Sequence, residues 1–184
     1  MKNLQKISIV LMVIFTLVKV EGQTKKLDVS KSKIAWVGKK VTGQHEGIIK
    51  FKDGSLLFKD NKVVGGNFTA DMKSVTNTDQ TGKSKANLEG HLKSDEFFGV
   101  ESYPTSNLVF KTIGDKGNNT YTVTADLTIK GVTNPVKFDL IVNGNKATAA
   151  IKIDRTKYDI KYGSGSYFDD LGDKTIYDEF ELNA

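Results

Sequence analysis

Residues 121–153 read YTVTADLTIKGVTNPVKFDLIVNGNKATAAIKI, and this stretch decides the fold. Tyr121, Val123, Ala125, Leu127 and Ile129 alternate with Thr122, Thr124, Asp126, Thr128 and Lys130. Side chains on a β-strand point to opposite faces in turn, so a period of two marks a strand with one buried face and one wet face. Val136, Phe138, Leu140 and Val142 repeat the pattern. Asn143-Gly144 then offers a two-residue hairpin turn, because both residue types tolerate positive φ. Ala147, Ala149, Ile151 and Ile153 run back along the same face.

Working outward, Ile34 and Trp36, Ile49 and Phe51, Leu56 and Phe58, Phe68, Ala70 and Met72, and Leu108 and Phe110 form similar inward sets. Asp60-Asn61 and Asn118-Asn119 are further turn candidates. The reading is all-β: an antiparallel lipocalin-like barrel of about eight strands joined mostly by tight turns. Alternation stops over residues 73–105, and a short helical insertion is expected at about residues 77–100. Asn87 to Leu92 suits a short helix, and Ser94 suits an N-cap for a turn through Asp95, Glu96 and Phe97. A glycine- and aromatic-rich loop, YGSGSYFDDLGD (162–173), precedes a last strand at about Thr175–Leu182.

The chain begins with a basic flank, Lys2 and Lys6, and an apolar run from Ile7 to Val18. Residues 1–22 are expected to be a secretory signal peptide cut near Gly22, too short to span a bilayer. Residues 23–184 then form one domain, and no other apolar run is long enough for a membrane helix. The formal charge of +5 falls to +3 once Lys2, Lys6, Lys19 and Glu21 are set aside. Arg155 is the single arginine, and the lysines are interleaved with acids. Phosphate and base readers lean on arginine, so nucleic acid is not an expected partner. With no cysteine there is no disulfide and no thiolate chemistry, and an exported domain must rely on its core.

Inward side-chain size decides whether such a barrel is solid or hollow. Ala70, Ala125, Ala147 and Ala149 sit beside Phe68, Phe110, Phe138, Leu127 and Ile153. Alanines facing the axis leave volume that an apolar chain can fill, at about 0.8 kcal/mol per buried methylene. Large residues from opposite strands can fill the same volume, because packed interiors are the rule. The residues alone leave both arrangements open.

Five segments in order resemble the YceI-like family: WVGKKVTGQHEG (36–47), GGNFTADMKSV (65–75), HLKSDEFFGVESYP (91–104), LTIKGVTNPV (127–136) and IKIDRTKYDI (151–160). The first is similar to the family's branch in Bacteroidetes-type bacteria. The third is the most diagnostic, through His91, Leu92, Ser94, Phe97, Phe98, Tyr103 and Pro104. The resemblance implies an exported lipocalin-like barrel whose apolar channel takes an isoprenoid tail, as of a quinone or polyprenyl phosphate. It implies a longer final strand than this chain shows before Ala184, so barrel closure rests on a short segment. On that reading Trp36, Phe68, Met72, Phe97, Phe98, Phe110, Ala125, Leu127, Phe138, Leu140, Ala149 and Ile153 line the channel. His45, Arg155 and Tyr158 are candidates for its mouth or the ligand's head group. One of Phe97 and Phe98 is expected to pack into the barrel end and the other to border the channel; the plain alternative is that both close the core.

No catalytic set, cofactor motif or metal site is expected. His45 and His91 lack the spacing of a metal-binding helix and read as hydrogen-bonded structural residues. Asp95 and Glu96 suit a helix start better than acid–base work. Gly163-Ser-Gly-Ser166 lacks the spacing of a nucleophile elbow. Arg155 is expected to pair with Asp154, Asp159 or another carboxylate, rather than with an anionic head group. The function expected is a periplasmic, non-enzymatic carrier of an isoprenoid lipid. The alternatives are a structural or stress-related envelope protein with a solid barrel acting through its surface, and, more weakly, a hydrolase or isomerase using the cavity.

Overall fold

Residues 120–154 form three consecutive antiparallel strands, as their alternation requires. In the computed structural model, which describes residues 22–184, these are β6 (Thr120–Ile129), β7 (Val132–Asn143) and β8 (Lys146–Asp154). Along β6, Tyr121, Val123, Ala125, Leu127 and Ile129 are all buried and their neighbours are not. The expected leader lies outside the described residues except for Gly22.

The other strands are β1 (Gln23–Lys26), β2 (Lys33–Lys40), β3 (Gly43–Lys59), β4 (Lys62–Asn77), β5 (Thr105–Gly117) and β9 (Ile176–Asn183). One antiparallel sheet runs β3-β2-β9-β8-β7-β6-β5-β4 and returns to β3, so eight strands close a barrel. β1 pairs with the part of β3 that β2 leaves free, Gln23 opposite Phe58 through Lys26 opposite Ser55. Closure does rest on a short last strand. β9 pairs with both β2 and β8, and Ala184 and Ala149 exchange two backbone bonds of 3.0 Å just beyond it. The long strands β3 and β4 change register near Ile48, Phe51 and Leu57, and such bulges bend a strand pair around a barrel.

Turn chemistry follows the sequence closely. Asp60-Asn61 and Asn118-Asn119 all have positive φ and join their strands in two residues. The third turn is shifted by one residue from expectation. Asn143 pairs with Lys146 inside the ladder, so the turn is Gly144-Asn145, with Gly144 supplying the positive φ.

The insertion between β4 and β5 contains helix α1 (Gly82–Lys93), starting five residues before the expected Asn87. Its first half is polar, and Leu92 is its one fully buried residue, so periodicity does not announce it. Ser94 both closes this helix and opens the next turn, but its hydroxyl serves the helix end and not the turn. Its amide bonds the carbonyls of Gly90 and His91, and its hydroxyl donates to His91 O at 2.8 Å. A turn still follows, because the Ser94 carbonyl accepts from the amides of Phe97 and Gly99.

Inside the barrel, two apolar clusters lie end to end. One surrounds Trp36, Met72, Phe97, Phe98, Ile153 and Tyr158, and the other surrounds Phe58, Tyr121, Val123, Ala125, Phe138 and Leu140. Gly47 makes the close approach that seats Trp36. A Cβ there would lie 1.9 Å from Thr76 O and 2.7 Å from the indole. Gly90, on the exposed side of α1, has nothing within 4 Å. Gly47→Ala is therefore expected to cost about 3 kcal/mol or more through overpacking against backbone. Gly90→Ala is expected to gain about 0.5–1 kcal/mol of helix propensity. Thermal melts of the two variants check this, and a Gly47→Ala variant as stable as the parent would contradict the packing described.

Candidate functional site: a plugged apolar lumen and a split wall

The two ends of the barrel are built differently. At one end, α1 and residues 94–104 fold over the strands and drive Leu92, Phe97, Phe98 and Val100 into the first cluster. Phe97 and Phe98 meet edge to face with centroids 5.1 Å apart, and both are buried in that cluster. Both rings thus contribute to closing this end, and neither stands apart at a channel edge. The opposite end carries the two-residue turns at 60–61, 118–119 and 144–145, with β1 paired along β3 beside the first of them. There Ile113, Val142, Ala147 and Ala149 pack against the second cluster but remain half-buried. The apolar interior is plugged at one end, and among the described residues no helix covers the other.

Of the residues expected to line a channel, Trp36, Met72, Phe97, Phe98, Leu127 and Ile153 fall in the plugged-end cluster, and Ala125, Phe138 and Leu140 in the turn-end cluster. Phe68, Phe110 and Ala149 pack half-buried against the turn-end cluster. Phe68, Phe110 and Phe138 form a chain of ring contacts at 5.8 and 5.9 Å.

The three mouth candidates do not come together. Arg155 is 2% exposed. Its guanidinium donates to Ile160 O at 2.8 Å, Ile176 O at 3.0 Å and Tyr177 O at 3.1 Å, with Asp178 at 3.5 Å. The carboxylate beside it is Asp178, while Asp154 caps the following 3₁₀ turn (Arg155–Tyr158) through Thr156. Arg155 thus joins that turn to the start of β9. Tyr158 is equally buried and its hydroxyl has no partner among the described residues. Burial, with help from Asp154, pushes the phenol up to about 12, so it stays protonated and able to donate.

His45 stands elsewhere, on the rim beside the plug. Its Nδ1 lies 2.9 Å from Asp79 Oδ2. Burial works against ionisation of Asp79, but the Glu46 amide, the His45 ring and the Asn77 side chain hold its carboxyl down at about 2. Glu89 of α1 accepts from the Thr76 hydroxyl and the Asn77 amide, which pins the helix to the end of β4. His91 instead packs under Tyr162, with centroids 4.3 Å apart. Among the described residues no three His, Asp or Glu side chains converge as a metal site.

Two clefts indent the wall. One, of about 320 Å³, lies over β2, β8 and β9 beside Lys39, Tyr177 and Glu181. The other, of about 170 Å³, opens between β7 and β8. These neighbours pair only over Leu140–Asn143 and Lys146–Ala149. Beyond that, β7 pairs with β6 alone and β8 with β9 alone. Sequence patterning missed this split, although a signal was present. Pro135, opposite Asp126, has no N–H, and proline is tolerated in a sheet where a ladder is interrupted.

The YceI-like domain model matches residues 26–184. The chain belongs to the YceI-like family. Curated relatives include UPF0312 proteins of Shewanella denitrificans, 33% identical over 84 residues, and Pseudomonas putida, 32% identical over 98 residues. Those matches cover 46% and 53% of this chain and 42% and 49% of the relatives, so they span under half of the relatives' length. Among solved structures, Burkholderia cenocepacia BcnA aligns with a TM-score of 0.68 at 25% identity, covering 85% of this chain and 95% of that one. The Campylobacter jejuni YCEI protein aligns with a TM-score of 0.54 at 18% identity, covering 94% and 86%, a likeness of fold. Family membership and the barrel together support a lipocalin-like binding protein. Among the described residues, no helix is long and apolar enough to cross a membrane.

Two expectations follow for a YceI-like barrel built this way. Arg155→Lys cannot serve three carbonyls in a fixed fork, and is expected to cost about 2–4 kcal/mol in urea unfolding. Asp79, whose carboxyl is depressed from 3.8 to about 2, contributes stability that is full above its unfolded value and lost as pH falls through about 2. Asp79→Asn should therefore be less stable than the parent by about 1 kcal/mol at pH 7, discounted for its partial exposure, and indistinguishable from it below pH 2. Equal stability of the two proteins at pH 7 would show that the His45–Asp79 contact contributes nothing.

Proposed function

We propose that this protein is a non-enzymatic, exported carrier or store for an isoprenoid lipid of quinone or polyprenol type, working in the periplasm. The supporting observation is the asymmetry of the lumen. Apolar side chains run from the plug to the turn end, which no helix among the described residues covers and where Ala147 and Ala149 leave the least side-chain volume and still contact water. A long tail entering there meets only hydrocarbon and aromatic rings. Its burial is repaid at about 0.8 kcal/mol per methylene without any bond to the head. Catalysis finds no support at the buried polar groups. Arg155 donates to three carbonyls beside Asp178, and neither histidine adjoins a nucleophile.

A second reading has one observation in its favour. Both wall clefts lie outside the lumen, and the two core clusters are contiguous along it. That suits a solid barrel acting through its surface. Mass spectrometry of an organic extract of natively purified protein separates the two. The carrier reading expects a prenyl lipid near one per chain. Ala149→Phe, which fills the turn end, should lower that occupancy about tenfold while shifting the melting temperature by only a few degrees. Extracts repeatedly free of prenyl lipid would leave the solid-barrel reading in place.

A further inference from the structure

We infer that the split between β7 and β8 is an anion site, built for a phosphate or diphosphate group. Three lysines, Lys137, Lys152 and Lys157, line the cleft against one carboxylate, Asp154. None of the three ammonium groups has an ion-pair or hydrogen-bond partner among the described residues. Other lysines of the barrel are also unpaired, so what distinguishes these three is that they converge on one cleft. Asp154 offsets one of the three charges, and its Oδ1 is held by the amide and the hydroxyl of Thr156 rather than by a lysine.

Tyr158 supplies the second, independent observation. It lines the same cleft, it is 2% exposed, and its hydroxyl is a shielded donor with no acceptor. Leaving such a donor unpaired is costly, and an incoming oxyanion would recover that cost. The strand edges add to this. Over residues 132–139 and 150–154 the two strands do not bond each other, and Pro135 keeps the ladder from closing. Across the gap the Asn134 side-chain amide donates to Lys157 O at 2.8 Å. A concave, positively charged site with a buried hydroxyl donor suits a compact polyanion.

The cleft also adjoins the lumen. Ile153 and Tyr158 belong to the plugged-end core cluster and line the cleft at the same time. One layer of side chains separates the anion from the apolar interior. The phosphate source is thus either a free ion or the head group of a lipid whose tail lies in the lumen. The second case rests on the carrier reading above; the first does not.

Calorimetric titration of the purified protein with inorganic diphosphate at low salt tests the site. Lys137→Ala and Lys157→Ala should each weaken binding about fivefold, and Tyr158→Phe about tenfold. Lys59→Ala, at the turn end of the barrel, should leave it unchanged. Retained melting temperatures exclude trivial unfolding, and the lysine variants keep the test valid if Tyr158→Phe fails to fold. Absence of diphosphate binding at millimolar concentration, or equal weakening by Lys59→Ala, would overturn the site. Geranylgeranyl diphosphate and geranylgeraniol then separate the sources. Tighter binding of the prenyl diphosphate than of diphosphate or the alcohol supports a lipid head group here. Equal binding of the two diphosphates, with none of the alcohol, keeps the anion site and counts against the carrier reading.

Discussion

Everything in this molecule depends on one short strand finding two partners. β9 lies between β2 and β8 and converts an open sheet into a barrel. Without it, both neighbours would present unpaired backbone groups, and the plugged-end cluster would lose the inward Phe180 and Leu182. An open edge of that length invites pairing with another chain. The strand enters correctly because Arg155 grips its first residues, accepting no compromise in geometry: a planar guanidinium bonds the carbonyls of Ile176 and Tyr177 while also holding Ile160. The single arginine in the chain is therefore part of the closure of the fold.

The barrel that results is asymmetric along its axis. One end is covered by a helix anchored through Glu89 to the last residues of β4 and sealed by two adjacent phenylalanines. At the other, the described residues form tight turns with β1 alongside. The wall is uneven as well, with β7 and β8 parting where proline removes a ladder donor. A lipocalin-like binding protein needs a way in that does not cost the whole core. Both the turn end and the split wall are places where backbone bonds are few, so local opening there is cheaper than elsewhere.

Much of this was legible in the sequence. β6 alternates without error because each inward residue is buried on a single face, and a one-residue slip would expose all five. The Asp-Asn and Asn-Asn turns were legible because few side chains tolerate paired positive φ. The helix was less so: α1 buries little of itself, so its polar first half carries no period to read. Ser94 does start the turn through Asp95, Glu96 and Phe97, but its hydroxyl caps the helix before it, since a serine can cap either by accepting or by donating.

The sequence by itself determined the fold class, the inward faces and the segments that mark the YceI-like family, because period-two burial and turn conformations are local properties. Only the tertiary structure decided the rest. It buried Arg155 and Tyr158, placed His45 far from them, and opened the wall beside Pro135. Those outcomes depend on which strands become neighbours after closure, and neighbours in a barrel can be more than a hundred residues apart, as Lys39 and Glu181 are.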